Sequence, residues 1–493
     1  MKTMLFEENQ VPDAMRFHLD ASAFTLPTGG ADVLRIGRET EQGSERVRYY
    51  RLTGEIHPVD PAAEPVRFQV NLPVRWNERA LQYCGGAFDG KIVEATDPSS
   101  GEIGTEATPL EQGYVTFGCD GGHTGDPQNC WDSRFALNRE SLLNFGYQSG
   151  KKTYDAVRAI IRRFYGAEPQ RIFIQGGSNG GREVLKAIQR YPGDYDGAIC
   201  FFPVLNWIGK ALLDNRNANM LTRHPDMWMD TATFDAFYAA LIAMNDELDG
   251  EKDGILANPA AALRNKEQVL DAIPDRLTEA QKDCLRLFAA DLTLPYPLAN
   301  GVRTVPGYGI FTGANIQAGF GGQFGTRGRR DGEMAKFADA VIRYQIMQDE
   351  AFDPADFDAE GHREQVQRAS EILDATDPAL DSFFGHGGKM ILVHGTADQL
   401  VSMYSTIAYY ERLRERFPED VLEESLRFYL VPGYGHGRSE AFTVGGHFLR
   451  ALEAWTEGKP APETITVTDQ TPGHEPRIRQ LRRYRENTVL MAP

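Results

Sequence analysis

The chain has 493 residues, 41% hydrophobic and 25% charged, with a formal net charge of −18. This composition supports a buried core, its anionic field disfavours nucleic acid and anionic membranes as partners, and no apolar run is long enough to cross a bilayer. Five cysteines, Cys84, Cys119, Cys130, Cys200 and Cys284, lack CxxC spacing, which argues against a zinc site or a disulfide framework and for free thiols in a reducing compartment.

The first residues, MKTMLFEENQVPDAMRFHLD, carry no apolar stretch after the lysine, so no secretory signal and a cytoplasmic location are expected. Leu81-Gln82-Tyr83-Cys84 reads as strand and runs into paired glycines, Gly85 and Gly86; Tyr114 to Phe117 is a second strand candidate. Asp120 and His123 follow it as a hydrogen-bonded structural turn. Residues 154–165 place Val157, Ile160, Ile161 and Phe164 at spacings of three and four, the face of an amphipathic helix. Arg171 to Gln175 is a short apolar run of the kind buried on both faces of a parallel sheet. It leads through Gly176-Gly177-Ser178-Asn179-Gly180 into a helix from Gly181 that Pro192 ends.

Residues 205–385 lack further strand–turn–helix units and read as a large insertion, a lid, between a first core segment (1–204) and a second (386–493). In the insertion, Tyr308, Phe311, Phe320 and Phe324 lie among glycines; they suit a substrate wall, or buried anchors of a loop. Lys389 to Val393 and Ser425 to Val431 are two more buried-strand candidates. The first leads to Asp398 in HGTAD, the second to His436 in VPGYGHG. His394 is expected to pack or orient. The fold class that results is α/β, a mostly parallel sheet flanked by helices, of α/β-hydrolase type.

The chemistry follows from three positions. G-x-S-x-G between a strand and a helix is a nucleophile elbow, which lifts the serine hydroxyl to the end of the sheet and turns the next amide, that of Asn179, towards a developing oxyanion. A serine needs a base and the base an orienting carboxylate; the order Ser178, Asp398, His436 is that of α/β-hydrolases. Asp398 also suits a helix cap, and His436 a loop histidine with satisfied bonds. The second oxyanion donor is expected at the amide of Gly85, with Gly86 next, although a plain turn fits the same residues. No GxGxxG follows a strand and no GKS or GKT is present, so no organic cofactor is expected.

Several co-linear motifs resemble the tannase and feruloyl esterase family of α/β-hydrolases: WNERALQYCGGAFDG, FGCDGGHTG, GGSNGGREVLKAIQRYPGDYDGAI, LVHGTADQLVS and VPGYGHG. The resemblance implies hydrolysis of a small, aromatic acid ester (feruloyl, galloyl or terephthalate-type) through an acyl-serine. The family typically joins the residue before the nucleophile to the one after the histidine by a disulfide; here these are Gly177 and Gly437, and the bridge cannot form. Rival readings are a non-catalytic ligand-binding protein on the same fold and an amidase or peptidase.

Asn245 to Ile255, NDELDGEKDGI, concentrates carboxylates in a glycine-broken loop. Such a loop suits hard Ca²⁺, and equally a solvated acidic turn, since the spacing is not that of an EF-hand. The resemblance implies structural calcium, held by the side chains of Asp246, Asp249 and Asp253 and the carbonyls of Glu251 and Ile255. Because His436 must be neutral to act as base, activity is expected to rise from mildly acid pH towards alkaline. Sequence fixes neither the individual ester nor the oligomeric state.

Overall fold

Alternation of inward apolar and outward polar side chains builds the first strands. In β3, Leu52, Gly54 and Ile56 are buried, while Arg51, Thr53 and Glu55 face outward or lie half-exposed. The computed structural model describes residues 4–5, 17–40, 47–273, 275–317, 322–485 and 490–492. Most of the opening segment, and Phe320, lie outside the described residues. Two units emerge: Met1–Ser100, Gly104–Cys200 and Leu380–Lys389 make one, and Gly101–Ile103, Phe201–Ala379 and Met390–Pro493 the other.

In the first unit the strands are β1 (Phe17–Leu19), β2 (Ala31–Thr40), β3 (Val47–Ile56), β4 (Val66–Pro73), β5 (Arg79–Tyr83), β6 (Val115–Cys119), β7 (Arg171–Gly177) and β8 (Gly197–Phe201). They lie side by side in the order β1-β2-β3-β4-β6-β5-β7-β8. The pairs from β1 to β4, and β4 with β6, are antiparallel. β5 runs parallel to both β6 and β7, with Leu81 opposite Thr116 and Phe173. The parallel sheet read from the apolar runs is therefore present at β5, β6 and β7, and an antiparallel extension adjoins it. Between β6 and β7 runs α1 (Ser149–Tyr165), its buried stripe including Val157, Ile160 and Ile161. It stops where Gly166 turns left-handed at φ 67°. α2 (Asn179–Arg190) follows β7 directly.

The second unit carries the helices α3 (Trp207–Arg223), α4 (Thr231–Asn245), α5 (Glu279–Ala289), α6 (Glu333–Ala340) and α7 (Arg363–Leu373). α3 packs against α6 and α7. Tyr308, Phe311 and Phe324 are almost wholly buried: Tyr308 donates to Asp214, Phe311 meets Phe237 edge-on, and Phe324 does the same with Phe234 and Phe288. They are anchors of that segment, and their rings do not form a wall. β9 (Lys389–Gly395) and β10 (Leu426–Val431) pair in parallel, Leu392 opposite Phe428, with α8 (Met403–Arg416) between them in the chain. A meander that the apolar runs did not announce ends the unit: β11 (Val444–Gly445), then, after α9 (Phe448–Thr456), β12 (Thr464–Asp469), β13 (Ile478–Arg482) and β14 (Met491–Ala492), all antiparallel. No described helix is long and apolar enough to cross a membrane.

Candidate active site

β7 is buried from Ile172 to Gly176 and delivers the chain to Ser178, whose backbone stands at φ 61°, ψ −123°. A residue with a Cβ adopts that conformation only where its surroundings impose it. Here they do. A Cβ on Gly176 would lie 2.6 Å from the Gly180 carbonyl, and one on Gly180 would lie 2.4 Å from the carbonyl oxygen of Gly85. The turn is thus clamped between its own strand and the loop after β5, and only glycines permit the approach. α2 begins at once, and the Asn179 amide at its start donates to no partner among the described residues. An unpaired amide at a helix N-terminus is a ready anion donor.

Gly85 does not fill the role expected of it. Its N–H donates to Glu183 Oε2 at 3.2 Å, and its α-carbon faces Asp89, whose Oδ1 would lie 2.1 Å from an added Cβ. Gly86 is the opposite case: a Cβ there would meet nothing within 4 Å. The sequence could not separate the two, because the discriminating partner, Glu183, lies 98 positions away.

In the second unit Asp398 is 1% exposed, and both its oxygens reach His436 Nδ1, Oδ1 at 3.2 Å. Oδ1 accepts the amides of Leu400 and Val401 at 2.9 and 2.8 Å, closing its own turn. Oδ2 lies 2.9 Å from His436 Nδ1 and 3.3 Å from His394 Nε2. The capping and orienting readings of Asp398 are therefore compatible, and α8 is capped instead by Ser402. Burial alone would raise the Asp398 pKa; the charge on His436 and the hydrogen bonds from His394 and His436 outweigh it and hold the carboxyl below the ordinary carboxylate range. His394 is locked in turn by Thr406 Oγ1 at 2.8 Å and the Val401 carbonyl at 3.1 Å.

His436 is fixed from two further sides. Its amide donates to Gln399 Oε1 at 3.0 Å, and its ring lies 4.7 Å from that of Phe202. With Nδ1 on Asp398, Nε2 is the nitrogen left to exchange a proton. His447 stands instead at the start of α9, and His474 lies 3.5 Å from Asp469.

Asp120 and His123 form the turn expected of them. Asp120 accepts Arg67 Nε at 2.6 Å and the amides of Arg67 and Gly122, while the His123 ring stacks on Phe135 at 3.7 Å. All five cysteines are free thiols.

The Asn245–Ile255 loop has hard oxygens of the kind calcium takes, but they are committed. Asp246 Oδ1 accepts the amides of Asp253 and Gly254, and Asp249 accepts those of Glu251 and Ala257. Asp253 receives Arg479 on its carboxylate at 3.2 Å and Arg477 on its carbonyl at 3.2 Å. The Ile255 carbonyl accepts Ala257 N–H. Among the described residues no three Asp, Glu, His or Cys side chains gather as a metal-holding group. The carboxylates keep further lone pairs, so an ion held by these residues would displace Arg479 from Asp253, and no chemical step runs through calcium.

Comparison with known proteins gives the family. The profile of the family described as "Tannase and feruloyl esterase" matches residues 50–490. An uncharacterized esterase of Agrobacterium fabrum is 31% identical, covering 92% of this chain and 85% of its own. A mono(2-hydroxyethyl) terephthalate hydrolase of Piscinibacter sakaiensis is 26% identical, covering 84% and 77%. The crystal structure of feruloyl esterase B from Aspergillus oryzae superposes with a TM-score of 0.75 at 18% identity, covering 93% of each chain, which shows the α/β-hydrolase fold. The chain accordingly belongs to the tannase and feruloyl esterase family, whose members are carboxylic ester hydrolases.

Proposed function

We propose that the chain hydrolyses esters of aromatic acids through an acyl-serine, with Ser178 as nucleophile, His436 as general base and Asp398 as the carboxylate that orients it. The observation that carries this reading is the His436 Nδ1 to Asp398 Oδ2 contact of 2.9 Å, which leaves Nε2 for the proton of a serine. The strained backbone at Ser178, which exposes a hydroxyl at the end of a parallel strand, supports it from the other side.

In the proposed reaction the substrate carbonyl carbon receives the Ser178 oxygen as His436 takes the hydroxyl proton. The imidazolium is balanced by Asp398, and the oxyanion by the amides of Asn179 and Gly86. His436 then gives its proton to the departing alkoxide, and the alcohol leaves. Water repeats the sequence, its proton passing to His436, and frees the acid. The aromatic acyl preference rests on what related enzymes are named for, a terephthalate monoester and feruloyl esters.

The test is Ser178→Ala. Turnover of methyl ferulate and of a 4-nitrophenyl ester should fall to background while the thermal midpoint stays within a few degrees of the parent's. Retention of most of the activity would overturn the assignment. A panel of aromatic and aliphatic methyl esters, ranked by kcat/KM, tests the acyl preference.

A further inference from the structure

Two carboxyl groups meet beside the serine turn, and neither belongs to the proposed triad. Asp89 stands in the loop after β5 with its backbone at φ 58°. Its Oδ1 accepts the Asn179 side-chain amide at 3.1 Å, and the same nitrogen lies 3.3 Å from Glu183 Oε1. Glu183 accepts the Gly85 amide on its other oxygen at 3.2 Å. From the far side Arg182 donates to Asn179 Oδ1 at 2.7 Å, and is itself held by the carbonyls of Phe145 and Gly146. Asn179 is thereby gripped at both ends, and the loop carrying Gly85 and Gly86 is tied to the helix that starts at the nucleophile.

Asp89 Oδ2 is buried and, as a pure acceptor, has nothing to accept. Asp89 Oδ1 and Glu183 Oε1 both lie against the Asn179 side-chain nitrogen, so a proton on the Asp89 carboxyl places a donor beside Glu183. We propose that Asp89 keeps its proton beneath the turn and that it and Glu183 act as positioning residues for the amides flanking Ser178, an inference that rests on the ester-hydrolase reading of that serine. Two touching carboxyls in a buried place do not both ionise. The charged and titratable groups around Asp89 are Glu183 and Arg182 from α2, Cys84 from the end of β5, and Cys119 and Asp120 from the end of β6, the last committed to Arg67. Burial, then the charge of Glu183, push the Asp89 carboxyl well above the ordinary range.

The folded state therefore binds a proton that the unfolded chain has released, and stability is lost as pH rises towards the folded-state pKa. The first measurement is the thermal midpoint from pH 5 to 10 in the Ser178→Ala background, which needs no turnover. With Asp89 the midpoint should fall as pH rises; with Asp89→Asn, whose amide N–H donates to Glu183 without titrating, that fall should vanish. The second is the kcat/KM profile over pH. Asp89→Ala should lower kcat about tenfold, Asp89→Asn should restore most of it, and the alkaline limb of the parent should move in the Asn variant. Identical pH curves for parent and Asn variant, or an Asn variant that does not fold, would overturn the proposal. Turnover persisting in Ser178→Ala would overturn the serine reading alone and leave the stability curves to stand or fall separately.

Discussion

Asp398 meets His436 Nδ1 with both carboxylate oxygens, at 2.9 and 3.2 Å, while Oδ1 also holds its own turn at 2.8–2.9 Å. The group that orients the imidazole is thus itself oriented by the backbone of residues 400 and 401. Asp398→Asn keeps the shape but presents an amide where a carboxylate was needed, so kcat should fall roughly 10³- to 10⁴-fold. The pKa of Asp398 is held below the ordinary 3.8, so its contribution to stability is present above that pH and lost as pH falls further. Thermal midpoints recorded from about pH 5 down to about pH 2 should show a steeper acid decline for the parent than for the Asn variant.

His394 contacts no reacting atom in the proposed scheme, yet it buttresses Asp398 from behind, pinned by Thr406 and Val401. His394→Ala should lower kcat roughly 10- to 100-fold through misplacement of the carboxylate, with KM little changed. Steady-state kinetics on one aromatic ester checks the split.

Asp120 tells the opposite story. It is wholly buried, and it satisfies Arg67 and the Gly122 amide. Asp120→Ala strands a guanidinium and two amides and should cost about 3 kcal/mol of stability, read by urea unfolding, while kcat in the surviving folded fraction changes less than threefold.

The Asn245–Ile255 loop is closed by protein cations. Arg479→Ala should lower stability by about 1–2 kcal/mol, seen as a fall of a few degrees in the thermal midpoint. A chelator should move the midpoint of the parent by less than about 1 °C; a drop of several degrees would show that an ion displaces Arg479 from Asp253.

The strands that carry Ser178, Asp398 and His436 were legible because each is a continuous apolar run ended by glycine, the mark of a strand buried on both faces. β2, β3 and β12 were not read, although their signal was present. In β12 Ile465, Val467 and Asp469 turn inward while Thr464, Thr466 and Thr468 face outward or lie half-exposed, a period-two pattern that a search for apolar runs passes over. Ser178, Asp398 and His436 could be assigned to strand ends from chain order alone. The partner that engages the Gly85 amide, and the arginines that bind the acidic loop, could not. Glu183 is 98 residues from Gly85, and Arg479 is 226 from Asp253; such contacts are a product of the fold and leave no local trace.

Ser178 occupies a backbone conformation that costs an L-residue roughly 1–2 kcal/mol and glycine almost nothing. Selection for hardness alone would therefore place glycine at this position, and the sturdiest version of the chain would be inert. Any campaign to toughen the protein by screening for heat resistance without a turnover screen will drift towards losing the hydroxyl that the proposed reaction needs.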